Sequence, residues 1–170
     1  MRVRRIRSEF WRPGTDYRSR IAELLRGVVR DGDVVVVAEK AISMAMGNII
    51  DESSVKPGIL AKLIARFWMR IVWGYLLAPL CRMGRRALKW IREYPIPEGE
   101  AHKQLVLEKA GFLAALRHWS EGGIDGSNAP YSYVVLPLSE PKQVAREIRE
   151  VIRSKLGVEV GVIISDSDKT

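Results

Sequence analysis

One carboxylate sits among three glycines and two small polar residues in Glu121-Gly122-Gly123-Ile124-Asp125-Gly126-Ser127-Asn128. Glycine has no Cβ, so the backbone there can turn sharply and come close to a ligand. Asp125 offers a hard oxygen to a divalent cation, and Ser127 and Asn128 add neutral donors and acceptors of the kind that suit a nucleotide. Taken alone, the octapeptide reads first as a tight surface turn in which Asp and Asn bond the local backbone. A second source of carboxylates shifts that balance. The apolar run Val158–Ile164 ends in Ser165-Asp166-Ser167-Asp168, and a buried strand that delivers carboxylates at its C-terminal end is a common way to present metal ligands. Asp166 and Asp168 are therefore candidates to join Asp125 around a magnesium or manganese ion that bridges phosphates. A third polar set, Glu39, Lys40 and Ser43, directly follows the run Val34–Ala38. By itself it reads as a solvated loop at a strand end. Histidines 102 and 118 have no metal-ligand partner at helical or strand spacing, and a satisfied or exposed ring is the default for both. Glycine-rich phosphate loops of the GxxxxGK[ST] and GxGxxG types, a GxSxG elbow and HExxH are all absent from the sequence.

The elements that must position these groups follow from pattern. Residues 2–10 alternate weakly and suggest a short strand. Thr15 or Asp16 can cap a helix over about 17–29, with Ile21, Leu24, Leu25 and Val28 on one face. Four consecutive valines, Val34–Val37, suggest a central strand buried on both faces. Tyr94–Gly99, with two prolines, reads as a rigid connector, Gln104–Lys109 as a strand, and Phe112–Trp119 as either helix or strand. Tyr133–Leu136 is a further strand. Ser139 is placed to cap a helix that has Pro141 in its first turn, an inner stripe of Val144, Ile148, Val151, Ile152 and Leu156, and Gly157 at its end.

Between Ser53 and Arg92 there is no acidic residue, against nine basic ones. Lys62, Arg66 and Arg70 recur every four residues and share one helical face, expected to be exposed. Leu63, Phe67 and Ile71 are expected to turn toward the core or a second subunit. The uncharged run Ile71–Cys81 is too short to span a bilayer and the turns before it carry three charges, which argues against a membrane span. Trp68, Trp73 and Trp90 among basic residues also leave open a nucleic-acid surface or an interfacial helix. The 170 residues fit one domain, or one domain and part of another, and 47% hydrophobic with 28% charged residues is ordinary for a globular chain. A net charge of +8 favours anionic partners without choosing among them. A single cysteine, Cys81, and a basic start with no apolar core behind it fit a reducing, cytoplasmic setting.

The ordered set Gly32-Asp33-Val34-Val35-Val36-Val37, Ile42-Ser43 with Gly47, Gly123-Ile124-Asp125-Gly126-Ser127-Asn128 and Gly161-Val162-Ile163-Ile164-Ser165-Asp166-Ser167 resembles the coenzyme F-420 gamma-glutamyl ligase family. These are GTP-dependent enzymes that add L-glutamate to a deazaflavin coenzyme. The likeness is good over about 32–50 and 122–168 and weak over the basic helices between. It implies an α+β fold, a mixed β-sheet with flanking helices, over residues 1–170, with a divergent basic helical insert at about 57–93 and the family's C-terminal domain absent. It further implies a homodimer, with GTP as co-substrate, magnesium or manganese as cofactor and a small acidic substrate. Asp125, Asp166 and Ser167 would be the metal ligands, with Ser replacing Thr and keeping the hydroxyl. Glu39, Lys40, Ser43 and Asn128 would hold the nucleotide. A substrate carboxylate would attack the γ-phosphate, and the acyl phosphate would then accept the glutamate amine. The resemblance identifies no general base.

Two departures stand out. Met44 occupies a position where the family has lysine, so Met44→Lys is expected to tighten GTP binding roughly ten- to a hundredfold. Asp168-Lys169-Thr170 replaces a short Gly-Arg segment, and the family continues further, so the chain as given is expected not to turn over. Two other readings stay open. One is a nucleotide- and metal-binding homologue without ligase activity; the other is a nucleic-acid module built on residues 56–92.

Overall fold

The valine run forms β1, Val34–Ala38, which lies parallel to β4, Gly161–Ser165, with Val34 opposite Gly161 and Ala38 opposite Ser165. The computed structural model describes residues 3–118, 122–126 and 132–166 and has an α+β architecture. It divides into two compact units, one comprising the residues up to Ile49 and from Val135 onward, the other Ile50–Val134. A short second pair, β2 (Ile49–Asp51) with β3 (Tyr133–Val135), runs antiparallel at the two places where the chain passes between units. The expected insert at 57–93 falls in the second unit.

In the first unit, helices α1 (Tyr17–Leu25) and α7 (Pro141–Leu156) contribute Tyr17, Ile21, Leu25, Val144, Ile148 and Ile152 to the core. Asp16 caps α1 by accepting the Ser19 N–H at 3.2 Å. The helix stops short of the expected residue 29, and Gly27 turns the chain at φ +72°. Residues 3–10 form no strand. Pro141 opens α7 where its missing N–H costs nothing, and Gly157 closes it at φ 71°. Glu140, not Ser139, occupies the N-cap position. Val35, Val37, Val162 and Ile164 pack on this core, whereas Val34 and Val36 are 59% and 62% exposed. The expected burial of β1 on both faces is thus corrected to one face. An apolar open face hides the period of two that would have revealed it.

Arg18 of α1 bonds Glu147 of α7, with Nε to Oε2 at 2.9 Å. This bond, with a second from Gln143, holds the Glu147 carboxyl below its ordinary value. A depressed folded pKa gives stability that is present above the unfolded value, about 4.3, and is lost as pH falls through the folded one. Glu147→Gln is expected to flatten the acid fall of Tm below about pH 4.3. Parallel Tm–pH curves for the two proteins would contradict this.

The second unit is helical. Helix α3, Ile59–Leu80, packs with α4 (Arg85–Arg92) and α5 (Ile96–Lys109), and α6 (Phe112–Ala115) follows. Pro97 sits in the first turn of α5, so the expected connector at 94–99 and strand at 104–109 are in fact one helix from Ile96 onward. The middle of α3, Ile64–Leu77, is wound as a π-helix. Its buried residues are Ala61, Ile64, Ala65, Met69, Gly74 and Ala78, four of the six small. Small residues here let neighbouring backbone come close: a Cβ on Gly74 would lie 3.0 Å from Arg92 Cγ, and Arg92 Nε donates to the Gly74 carbonyl at 2.8 Å. Leu63, Phe67 and Ile71, expected to turn toward the core or a second subunit, are 58%, 55% and 50% exposed and so are not part of this chain's own core. With 22 residues and a mean hydropathy of 1.3, α3 passes a length-and-composition test for a membrane span. Two of its three charges, however, are tied to the protein. Arg66 pairs with the nearly buried Glu100, and Arg70 donates to the Tyr94 carbonyl at 2.9 Å.

Candidate functional site

Because Ala38 is opposite Ser165, Glu39 and Asp166 are each the first residue beyond the same end of two adjacent parallel strands. Glu39 begins α2, Glu39–Ala45, and its Oε1 accepts the Leu138 N–H at 2.8 Å. Lys40 follows, half-buried, and Asp166 is exposed. The carboxyl ends of parallel strands are where open α/β arrangements receive ligands. Here they bring together Glu39 and Lys40 with Asp166, three residues drawn from distant parts of the sequence.

One turn into α2, Ser43 is 0% exposed, and its Oγ makes no hydrogen bond among the described residues. Such an orphaned hydroxyl is costly to bury. Met44, beside it, is 5% exposed. That reverses the outcome expected for Met44→Lys, since the new ammonium would start inside the core rather than facing phosphate. The substitution is expected to cost roughly 1–3 kcal/mol of stability, read as a fall in Tm, with no gain in GTP affinity. A tighter complex at unchanged Tm would contradict this.

Asp125 belongs to the second unit, whereas Glu39, Lys40, Ser43 and Asp166 belong to the first. Gly122 and Gly123 both take left-handed backbone, at φ 70° and 79°, as a sharp turn demands. A Cβ on Gly122 would lie 2.1 Å from Ala110 Cβ, and one on Gly126 would lie 3.2 Å from Val134 Cγ1. Ile124 is buried between them in sequence, at 8% exposure. The Asp125 backbone therefore has close neighbours on both sides: position 122 demands glycine, and at 126 an added Cβ would sit tightly against Val134. Asn128 and Ser167 lie outside the described residues, as does Asp168. Among the described residues, no three His, Cys, Asp or Glu side chains gather as a metal cluster. Taken singly, Asp125 and Asp166 are carboxylates, the hard oxygen donors that magnesium or manganese prefers.

Several residues that frame this segment carry no motif. The Lys103 side chain is fully buried and donates to the carbonyls of Ala115 at 2.8 Å and Arg117 at 2.9 Å. Trp68 and Trp73 each donate an indole N–H to the Leu116 carbonyl at 2.9 Å. The His118 ring lies 4.0 Å from that of Trp73. Asp51 Oδ1 accepts from Ser132 Oγ at 2.5 Å and from the Ser53 N–H at 2.9 Å. The Ser132 hydroxyl, ahead of the Ser53 bonds, holds the Asp51 carboxyl below its usual range. His102 pairs with Glu52, in line with a satisfied histidine. The only signal in the sequence was the tryptophan spacing, which suggested a surface and not an internal bond.

The chain is thus an α+β protein with polar and acidic residues at the ends of two parallel strands and a glycine-held aspartate elsewhere. The chain belongs to the F-420-0:gamma-glutamyl ligase family, which matches over residues 5–170. An uncharacterized protein of Methanocaldococcus jannaschii is 37% identical over 100% of this chain and 59% of its own length. Coenzyme F-420:L-glutamate ligase of Methanopyrus kandleri is 31% identical over 92% of this chain and 55% of its own length. The enzyme of the same name from Haloarcula marismortui is 33% identical, again over 92% of this chain and 56% of its own. The chain thus spans little more than half the length of these relatives.

Proposed function

We propose that this chain holds the nucleotide and metal for a GTP-dependent ligase that adds L-glutamate to a deazaflavin acid of the F-420 type. One observation carries the reading. The β1–β4 register puts Glu39 and Lys40 beside Asp166 at the strand ends, and relatives from two archaea bear the name coenzyme F-420:L-glutamate ligase. A bound magnesium or manganese ion would neutralise phosphate charge. Asp125 and Asp166 would hold that ion, with Ser167 adding its hydroxyl. Lys40 would meet phosphate as a cation, and Asn128 would bond the nucleotide. Glu39 would meet the nucleotide with one carboxylate oxygen already held by the Leu138 N–H. The acid's carboxylate would attack the γ-phosphorus and displace GDP. The glutamate amine would then displace phosphate from the acyl phosphate, closing the amide and releasing a proton.

Incubation with GTP, manganese, L-glutamate and a deazaflavin acid tests this, with amide and phosphate measured together. Amide formed in step with phosphate supports the ligase. GTP binding with neither product favours a non-catalytic homologue. The exposed Leu63, Phe67 and Ile71 stripe of α3 supports a homodimer, because a monomer gains nothing from exposing them. Sedimentation is expected to show mass rising with concentration and Phe67→Glu holding the chain monomeric; a monomer at every concentration would contradict the dimer.

A further inference from the structure

We infer that the second unit is a mount for the Asp125 segment, with Lys103 and the Trp68–Trp73 pair as its positioning residues. This rests on the reading of Asp125 as a metal ligand. Three consecutive carbonyls, those of Ala115, Leu116 and Arg117, receive four side-chain donors from two helices. These carbonyls close α6, where the last C=O groups of a helix have no partner within it. Burying an ammonium is costly unless it is fully hydrogen-bonded, so Lys103 in the interior needs these acceptors as much as they need it. The α6 segment then meets the Asp125 turn directly. The Cβ position of Gly122 presses on Ala110, the last residue before Gly111, and lies 3.9 Å from Ala114 of α6.

The π-winding of α3 explains how two tryptophans reach one carbonyl. Five residues of α-helix would set Trp68 and Trp73 about 140° apart around the axis. With i→i+5 closure, residues five apart come onto nearly the same side. Both indoles then point at Leu116. On the far side of the segment, Asp51 holds Ser132 through its hydroxyl, and Gly126 is seated on Val134. The basic helical region is thus neither a nucleic-acid surface nor a spacer in this account; its inner face is spent on holding the backbone on either side of Asp125.

The test uses the full chain with Trp68→Phe/Trp73→Phe, which keeps the rings and removes both N–H donors. Lys103→Met is a second variant that removes the ammonium at similar volume. Hydrogen exchange of the amides from Gly122 to Gly126 is expected to quicken about tenfold or more in the double variant, while α5 and α7 keep their protection. Manganese affinity, read by electron paramagnetic resonance in the presence of GTP, is expected to weaken about ten- to a hundredfold. It should show no further loss when Asp125→Asn is already present. Exchange that is unchanged at 122–126, or that rises equally everywhere, overturns the mount. So does a loss of affinity that is as large with Asp125→Asn as without it. If the unsubstituted chain binds no manganese yet the exchange response is local, the mount stands and the metal reading of Asp125 falls.

Discussion

Gly122→Ala is expected to be among the most damaging single-methyl changes in the second unit. The added Cβ would sit 2.1 Å from Ala110 Cβ, well inside contact distance, on a residue at φ 70°. Overpacking of this kind costs about 1–3 kcal/mol, and left-handed backbone adds about 1–2 for a residue with a Cβ. Against a total stability of about 5–15 kcal/mol, the sum is a large share. Gly157→Ala is the control. It has the same sign of φ, at 71°, but nothing within 4 Å of the new atom, so it bears only the conformational cost. Thermal melts of the two variants should therefore separate by several degrees. Equal Tm values would mean that α6 and Ala110 yield freely and that the Asp125 turn is not locked.

The second large effect is expected at the carboxylates. Asp125→Asn and Asp166→Asn should each weaken manganese binding in the presence of GTP about ten- to a hundredfold, the worth of one charged contact at about 1.5–3 kcal/mol. If both oxygens serve one ion, the double variant should lose little more than the worse single variant, because residues that share a partner are not additive. Fully additive losses would place the two carboxylates on different ions or on none. The folded chain should survive both changes, since Asp166 is exposed and Asp125 half-exposed.

How much of this was legible in the sequence depends on whether the forces involved are local. Gly157 as a helix stop, Pro141 as a helix start, the valine strand and the strand before Asp166 were all readable, because capping and apolar runs act over a few residues. The helix Ile96–Lys109 was not, since Leu105-Val106-Leu107 is a short continuous apolar run that reads equally well as a buried strand. Its helical state is fixed by Glu100 meeting Arg66 and by Lys103 meeting carbonyls at 115 and 117, contacts that no local pattern records. The same holds for α3. Leu63, Phe67 and Ile71 look like a core stripe, yet the buried residues are Ala61, Ile64, Ala65, Met69, Gly74 and Ala78, four of them small, because close packing against α4 and α5 favours small volume. At the site, the ordered motifs named candidate carboxylates and a strand-end pair, of which Glu39 and Asp166 follow adjacent strand ends. They could not show that Met44 is enclosed, because a helix of seven residues gives too few turns for its inner face to be read.

The most direct test of the central claim is a GTP titration of the chain with manganese and again with the metal chelated, set beside an RNA titration at several salt concentrations. A nucleotide held by Lys40 and by an ion on Asp125 and Asp166 should bind saturably, tighten with manganese and lose that gain in Asp166→Asn. Its affinity should depend only weakly on salt. No binding of GTP, or GTP affinity indifferent to manganese, together with RNA binding that falls steeply with salt, would contradict the account and return the function to the basic helices.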